Sequence, residues 1–171
     1  MRLGAPHVPS KADRVLADAI VRRHTDRLAY EERALAPHVL ALLLASAAAE
    51  GAWLVPVETP ARRAVLAALV APADRTRVEC APVMAVLATV GDAPRDWLVA
   101  GQALGRVLLA ACASGVAASF MNQPLEVPAL LRAADDPASP GDAAVPQLVL
   151  RFGYAPEGRT TPRRPLHDVL R

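Results

Sequence analysis

The chain has 171 residues, of which 53% are hydrophobic and 21% are charged. This composition is typical of one globular domain with a substantial core, and it excludes a disordered protein. The formal net charge is +2, so the overall field gives no indication of a nucleic-acid partner. Lys11 is the only lysine. Arginine therefore supplies almost all of the positive charge, and only a local cluster of arginines is informative.

The first 50 residues predict two helices. Apolar positions recur at helical spacing in residues 11–23. Ser10, with Asp13 three residues later, has the pattern of a helix N-cap. The second helix is expected to begin near Pro37 and to end at Gly51.

A strand and a third helix follow. Residues 52–58 favour a strand, and Pro56 makes it an edge strand or an irregular one. Residues 59–74 favour a helix, with Thr59 as the N-cap and Pro60 at the first helical position.

The second half of the chain continues this mixed pattern and predicts one α+β domain over residues 1–171. We expect a central sheet of about four strands, because sheets usually contain 4–6, with helices around it. The remaining predicted elements are a buried strand at 82–91, a long helix at 94–114, a short strand at 115–122, a short helix at 125–134 and a strand at 146–155.

The sequence also predicts a soluble, cytoplasmic protein with no membrane partner. Residues 1–10 lack the apolar segment of a signal peptide. Residues 34–49 are apolar but shorter than the about 20 residues that span a bilayer. Residues 96–120 are longer, but they contain Arg106, and an arginine at mid-span costs about 2.5–3.5 kcal/mol. Both runs are therefore interpreted as buried helices.

A cluster of positive charge follows the first predicted helix. Its members are Arg22, Arg23, His24, Thr25 and Arg27. The planar guanidinium of arginine can hold a phosphate through two hydrogen bonds, and a threonine hydroxyl adds a donor. The alternative is that the basic residues only complement the negative end of the helix dipole. From the spacing alone, neither interpretation is favoured.

A second basic pair, Arg163 and Arg164, lies in a proline-rich tail that is, by itself, typical of a solvated terminus. Motifs for chemistry without a cofactor are absent from the sequence, and no pair of carboxylates is prominent. Cys80 and Cys112 have neither metal-ligand nor disulfide spacing, so we expect no metal. A catalytic function would therefore depend on a cofactor.

Two glycines in the long helix, Gly101 and Gly105, are one turn apart. A glycine within a helix costs roughly 1 kcal/mol relative to alanine, and close approach of another backbone is the usual reason for it. That approach is either tight packing within the chain or a helix–helix contact between two copies, and we favour the second.

Four segments together resemble the flavin-dependent nitroreductase superfamily. They are RRHTDR at 22–27, GVAASFMNQPLEVP at 115–128, PQLVLRFGY at 146–154 and TPRRPLHDVL at 161–170. The pattern is most similar to the carboxy-terminal half of the actinobacterial Acg-type FMN-binding proteins. The resemblance implies a nitroreductase-like α+β fold with a mostly antiparallel sheet. It also implies a homodimer joined through the long helix, a tail that wraps the partner, and FMN in the groove between the units.

The same resemblance implies a set of FMN-binding residues. The phosphate and ribityl chain would be held by Arg23, His24, Thr25 and Arg27, and by Arg163 or, as the second choice, Arg164 of the tail. The backbone near flavin atom N5 would be that of Ser119, Phe120, Met121, Asn122 and Gln123. The alternatives are that Phe120 and Met121 belong to the core and that residues 122–124 form a turn.

The implied activity is an oxidoreductase in which NAD(P)H reduces FMN and the flavin passes electrons to a nitroaromatic or a quinone. The alternative function is FMN binding or sequestration without catalysis, as in a stress response. A third reading is a structural protein that keeps the fold without flavin. The sequence departs from the family in two respects. Acg-type chains contain two such halves, and the connection before the strand at 82–91 is shorter than in the family.

Overall fold

The computed structural model describes residues 8–26, 29–69, 81–121, 144–155 and 164–169. Its helices are α1 (Lys11–Arg22), α2 (Pro37–Ala48), α3 (Pro60–Leu69), α4 (Pro94–Ala113) and α5 (Leu166–Val169). Its strands are β1 (Trp53–Pro56), β2 (Val83–Thr89), β3 (Ala117–Phe120) and β4 (Val145–Gly153). The sequence did not predict the short helix α5. The helix predicted over 125–134 lies outside the described residues.

The four strands form one antiparallel sheet in the order β1-β2-β4-β3. The predicted fold class, α+β with a mostly antiparallel sheet flanked by helices, is therefore confirmed. β2 and β4 lie in the centre, where their nearly continuous apolar sequences are buried between helices. β1 is an edge strand and ends at Pro56, which has no backbone N–H to donate to a further strand.

The helix ends follow the predicted capping residues. Ser10 Oγ accepts a hydrogen bond from the Asp13 backbone N–H at 3.1 Å, and Asp13 Oδ2 accepts from the Ser10 N–H at 2.8 Å. Thr59 Oγ1 accepts from a backbone N–H in the first turn of α3. Gly51 and Gly115, which follow α2 and α4, have φ values of 81° and 70°. A residue with a side chain rarely adopts this conformation, so glycine ends both helices here.

The larger core lies between one face of the sheet and helices α2 and α4. Alternate residues of each strand point to this face, and α2 and α4 contact each other as well as the sheet. Complete burial of large aliphatic and aromatic side chains supplies the main favourable term for folding. Its fully buried side chains include Leu43, Leu87, Val107, Leu150 and Phe152.

Helix α3 covers the opposite face, where Leu66 packs in a smaller apolar cluster. Arg63 attaches this helix to the strands on either side of it. Its Nη1 donates to the carbonyl of Ala81 at 2.7 Å, its Nη2 to that of Pro82 at 3.0 Å and its Nε to that of Val57 at 3.3 Å. One guanidinium therefore joins the end of β1 to the start of β2.

Within the described ranges, α4 is the one helix that is long and apolar enough, by length and composition, to cross a membrane. It contains Arg95, Asp96 and Arg106, and Nη1 of Arg106 lies 2.9 Å from Oε1 of Glu50. Its buried side, which includes Ala103, packs in the larger core. These features are those of a helix central to the fold.

Candidate functional site

The basic turn begins where α1 ends. Arg23 is the C-cap residue of α1. Its backbone N–H donates to the carbonyl of Ala19 at 2.8 Å, and its own backbone is extended. Nδ1 of His24 lies 3.2 Å from the carbonyl oxygen of Arg22. A carbonyl only accepts hydrogen bonds, so Nδ1 is assigned the proton, and Nε2 donates only when the ring is protonated. His24 can therefore donate to an anion as an imidazolium.

Arg23 and His24 line a groove of about 200 Å³ between the end of α1, the end of α4 and the start of β3. Complete small-molecule pockets are usually about 300–1,000 Å³, so the groove would enclose only part of a nucleotide-sized ligand. Small side chains form its floor, which allows a ligand to approach the backbone closely. The other lining residues are Asp26, Leu108, Cys112, Gly115, Val116, Ala117, Ala118 and Ala155.

Asp26 connects the basic turn to the sheet. Its backbone N–H donates to the carbonyl of Ala118 in β3 at 3.3 Å. Its carbonyl oxygen accepts from the Tyr30 hydroxyl at 3.1 Å and, at the long distance of 3.4 Å, from Nη2 of Arg151. The turn is thereby held against β3 and β4.

The cluster of Tyr30, Arg151 and Gly153 beneath this turn was not predicted from the sequence. Burial raises the pKa of the Tyr30 hydroxyl well above its ordinary value of 10.0, the charge of Arg151 lowers it, and the charge of Asp26 raises it. The available signal was Arg151 itself, an arginine within the apolar strand LVLRFG, because a buried arginine requires partners.

The segment expected near flavin N5 lies partly outside the described residues, which end at Met121 before Asn122 and Gln123. Ser119 is buried in β3 and is paired with Arg151 of β4. Phe120 packs against the larger core and Met121 belongs to the smaller one. The backbone N–H of Met121 donates to the carbonyl of Val149 at 2.9 Å, so it is already used within the protein.

The structure brings together only some of the predicted phosphate-binding residues. Thr25 is half-buried on the turn beside the groove-lining Arg23 and His24. Arg27 and Arg163 lie outside the described residues. Arg164 is exposed just before α5 and is not among the residues that line the groove. The role of the tail therefore stays a prediction.

The predicted interface glycines of α4 face outward. No described heavy atom beyond the local helix lies within 4 Å of an ideal Cβ at Gly101 or Gly105. Among the described residues, the tight packing within this chain that was the alternative explanation is therefore not found at these glycines. Near them, Trp97 is 54% exposed and Leu98 is 71% exposed. This surface, comprising Trp97, Leu98, Gly101 and Gly105, is called the α4 face below.

The described residues contain no group of three or more His, Cys, Asp or Glu side chains that could hold a metal ion. Cys112 is a free thiol, and its Sγ lies 3.8 Å from the carbonyl oxygen of Ala19.

The fold is that of a nitroreductase-like protein. It is similar to the crystal structure of a provisionally named nitroreductase from Desulfovibrio desulfuricans in complex with FMN, with a TM-score of 0.72 and 22% identity over 91% of this chain and 94% of that one. A nitroreductase from Bacteroides fragilis with bound FMN has a TM-score of 0.64 and 18% identity over 88% of this chain and 94% of that one. These matches confirm the predicted fold.

In sequence, the chain is similar to a protein of Mycobacterium tuberculosis with the provisional name NAD(P)H nitroreductase. The two are 28% identical over 221 residues, which cover 96% of this chain. The chain spans 64% of the length of this relative. The matched region is longer than this chain of 171 residues, so the relative carries additional residues within it. No family model matches the chain. The predicted resemblance to nitroreductases is thus confirmed, by similarity in sequence to this relative and in fold to the two structures. The narrower resemblance to the carboxy-terminal half of Acg-type proteins stays a prediction.

Proposed function

We propose that the protein binds FMN and acts as an NAD(P)H-dependent oxidoreductase that reduces a nitroaromatic or a quinone. The observation that carries the proposal is the groove lined by Arg23 and His24 at the end of α1. Further support comes from the FMN in two structures of the same fold and from the name of the mycobacterial relative.

The residues of the groove fit the phosphate end of FMN. Arg23 offers a planar fork of N–H donors, and protonated His24 offers one more. Among the described lining residues, Asp26 is the one acidic residue, and its charge acts on Tyr30 together with the opposite charge of Arg151. Arg27 and Arg163 or Arg164 would add positive charge, as the resemblance implies.

FMN would supply the redox chemistry, because hydride transfer is carried out by a cofactor and not by side chains such as those of the described groove lining. The task of this chain is then to bind and orient the cofactor. Arg23, His24 and Thr25 would hold the phosphate and ribityl chain, and the segment that begins at Ser119 would lie along the flavin edge.

A groove of about 200 Å³ is one side of such a site, and a second copy of the chain would form the other. The α4 face is suited to this contact because it combines exposed apolar side chains with two glycines that leave its backbone accessible. We therefore propose a homodimer with the α4 face at its interface. The cytoplasmic location expected from the sequence is kept as part of the proposal.

The visible spectrum of the purified protein tests the proposal directly. We expect flavin absorbance bands that bleach on addition of NADH or NADPH and recover with a nitroaromatic or a quinone. Bands without consumption of NAD(P)H would favour the alternative, FMN binding without catalysis. A colourless protein that takes up no added FMN would overturn the proposal.

The matched variants are Arg23→Ala and Arg14→Ala. Arg14 is an exposed arginine of α1 that does not line the groove. We expect FMN at a hundredfold excess over its Kd to stabilise the wild-type protein and Arg14→Ala by about 2.7 kcal/mol, and to stabilise Arg23→Ala much less.

A further inference from the structure

The backbone of Asp26 is the point at which the basic turn is fixed to the sheet. Its N–H is bonded to Ala118 of β3, and its carbonyl oxygen accepts from Tyr30 and Arg151. Asp26 lies three residues after Arg23 and two after His24, so a shift of its backbone moves the groove-lining side chains. The two side-chain donors to its carbonyl, together with the bond to Ala118, therefore fix this backbone to the sheet.

Both donors are buried and packed against each other. Tyr30 is 5% exposed and Arg151 is 1% exposed. Cζ of the Arg151 guanidinium lies 4.2 Å from the centroid of the Tyr30 ring, a cation–π contact. The Tyr30 ring also packs directly on Gly153. A Cβ at this position would lie only 2.7 Å from Cδ2 of Tyr30. The ring thus lies flat across β4, over Arg151 and Gly153.

The same cluster also reaches the segment expected near the flavin. Arg151 is paired with Ser119, and Gly153 is paired with Ala117. Neither Tyr30 nor Arg151 lines the groove. Any effect of these residues on a ligand must therefore pass through the turn and β3.

We propose that Tyr30 and Arg151 are positioning residues that hold the turn of Arg23 and His24 in register with β3 for binding the phosphate of FMN. The proposal rests on the proposed FMN-binding function and adds to it two residues that do not touch the cofactor. It accounts for a charged side chain at Arg151, near the end of an apolar strand, and for a glycine at position 153.

The test compares the Kd of FMN with that of riboflavin, which lacks the phosphate, in Tyr30→Phe. This variant removes one hydroxyl donor and keeps the ring over Arg151 and Gly153. Because a neutral hydrogen bond contributes a modest free energy, we expect FMN binding to weaken by about two- to tenfold. Riboflavin binding should stay at the wild-type value. General loosening of the fold would weaken both ligands equally, and that result would overturn the positioning role.

The matched control is Tyr154→Phe. Tyr154 lies beside the same segment, with Cζ of Arg33 4.1 Å from the centroid of its ring, and its side chain is not part of the contacts to Asp26. We expect it to bind FMN as the wild type does. If Tyr30→Phe binds FMN as tightly as Tyr154→Phe, the proposal is wrong.

Gly153→Ala is a second, stronger perturbation, because its methyl group displaces the Tyr30 ring while Arg151 stays. We expect a larger loss of FMN affinity than in Tyr30→Phe, again with riboflavin binding retained. FMN binding that is unchanged in a folded Gly153→Ala protein would contradict the proposal. If the wild-type protein binds neither flavin, the proposed function fails and the positioning role with it. If the wild type and both variants bind FMN equally, only the positioning role fails.

Discussion

Replacement of Gly101 by leucine distinguishes a monomeric protein from the proposed homodimer. The leucine should stabilise a monomer, whereas it should disrupt the dimer. An ideal Cβ at Gly101 meets no described atom within 4 Å beyond the local helix, so the protomer accommodates the side chain. Leucine is favoured over glycine in a helix by roughly 0.8 kcal/mol. For a domain of this size, about 1 kcal/mol shifts Tm by about 2–4 °C. A protein that is always a single protomer should therefore gain about 2–3 °C.

In the proposed homodimer, the same leucine would separate two backbones that must approach closely at the α4 face. We therefore expect Gly101→Leu to sediment at the protomer mass of 18.0 kDa at concentrations at which the wild type has twice that mass. The matched control is Ala64→Leu, on the exposed side of α3, which should keep the wild-type mass. A wild-type protein of 18.0 kDa, or a Gly101→Leu variant that keeps the doubled mass, would refute the assignment of the α4 face.

Three further predictions concern stability. Leu87→Ala removes a fully buried side chain and should lower the free energy of unfolding in urea by about 2–5 kcal/mol. Leu42 is 47% exposed, so Leu42→Ala should lower it by well under half as much. Equal losses in the two variants would contradict the assigned core. Arg63→Lys cannot keep all three hydrogen bonds to the carbonyls around α3. It should lower the free energy of unfolding, measured by the same curves, by about 1–3 kcal/mol. An unchanged midpoint would show that the contacts contribute nothing to stability. Burial raises the pKa of Tyr30 above 10.0 in the folded protein, so the stability that this shift contributes is complete below pH 10.0 and is lost as the pH rises further. In the alkaline range, the unfolding free energy of the wild type should therefore fall more steeply with pH than that of Tyr30→Phe. Parallel curves would refute the burial of a neutral hydroxyl.

Local signals in the sequence were sufficient to predict most elements. Gly51 and Gly115 end helices because their backbone conformations favour glycine. Pro56 lies on an edge strand because it lacks an N–H. The apolar run at 82–91 became a central strand. Each of these features depends on residues next to one another in the chain, and sequence patterns report such features well.

The order of the strands and the cluster under the basic turn depend instead on contacts between distant residues. Tyr30 meets Arg151 and Gly153 more than 100 residues later in the chain. No local pattern specifies which side chain covers a glycine in β4. An arginine in an apolar strand indicates that a partner exists but does not identify it.

Part of the predicted site can be located in the structure. Arg23 and His24 line a groove at the end of α1, and the binding of an anion there stays a prediction. The side chains of Phe120 and Met121 lie in the two cores, as the alternative interpretation of that segment expected. The backbone of the segment beyond them lies outside the described residues, so its place beside the flavin stays a prediction.

The phosphate of FMN is central to this account, and one comparison tests it most directly. The Kd values of FMN and riboflavin are measured for the wild type and for Arg23→Ala, with Arg14→Ala as the control. We expect the wild type and the control to bind FMN more tightly than riboflavin. Arg23→Ala should lose about tenfold or more of that preference, because hydrogen bonds to charged groups contribute about 1.5–3 kcal/mol. Equal binding of FMN and riboflavin by the wild type would contradict the assignment of the basic turn.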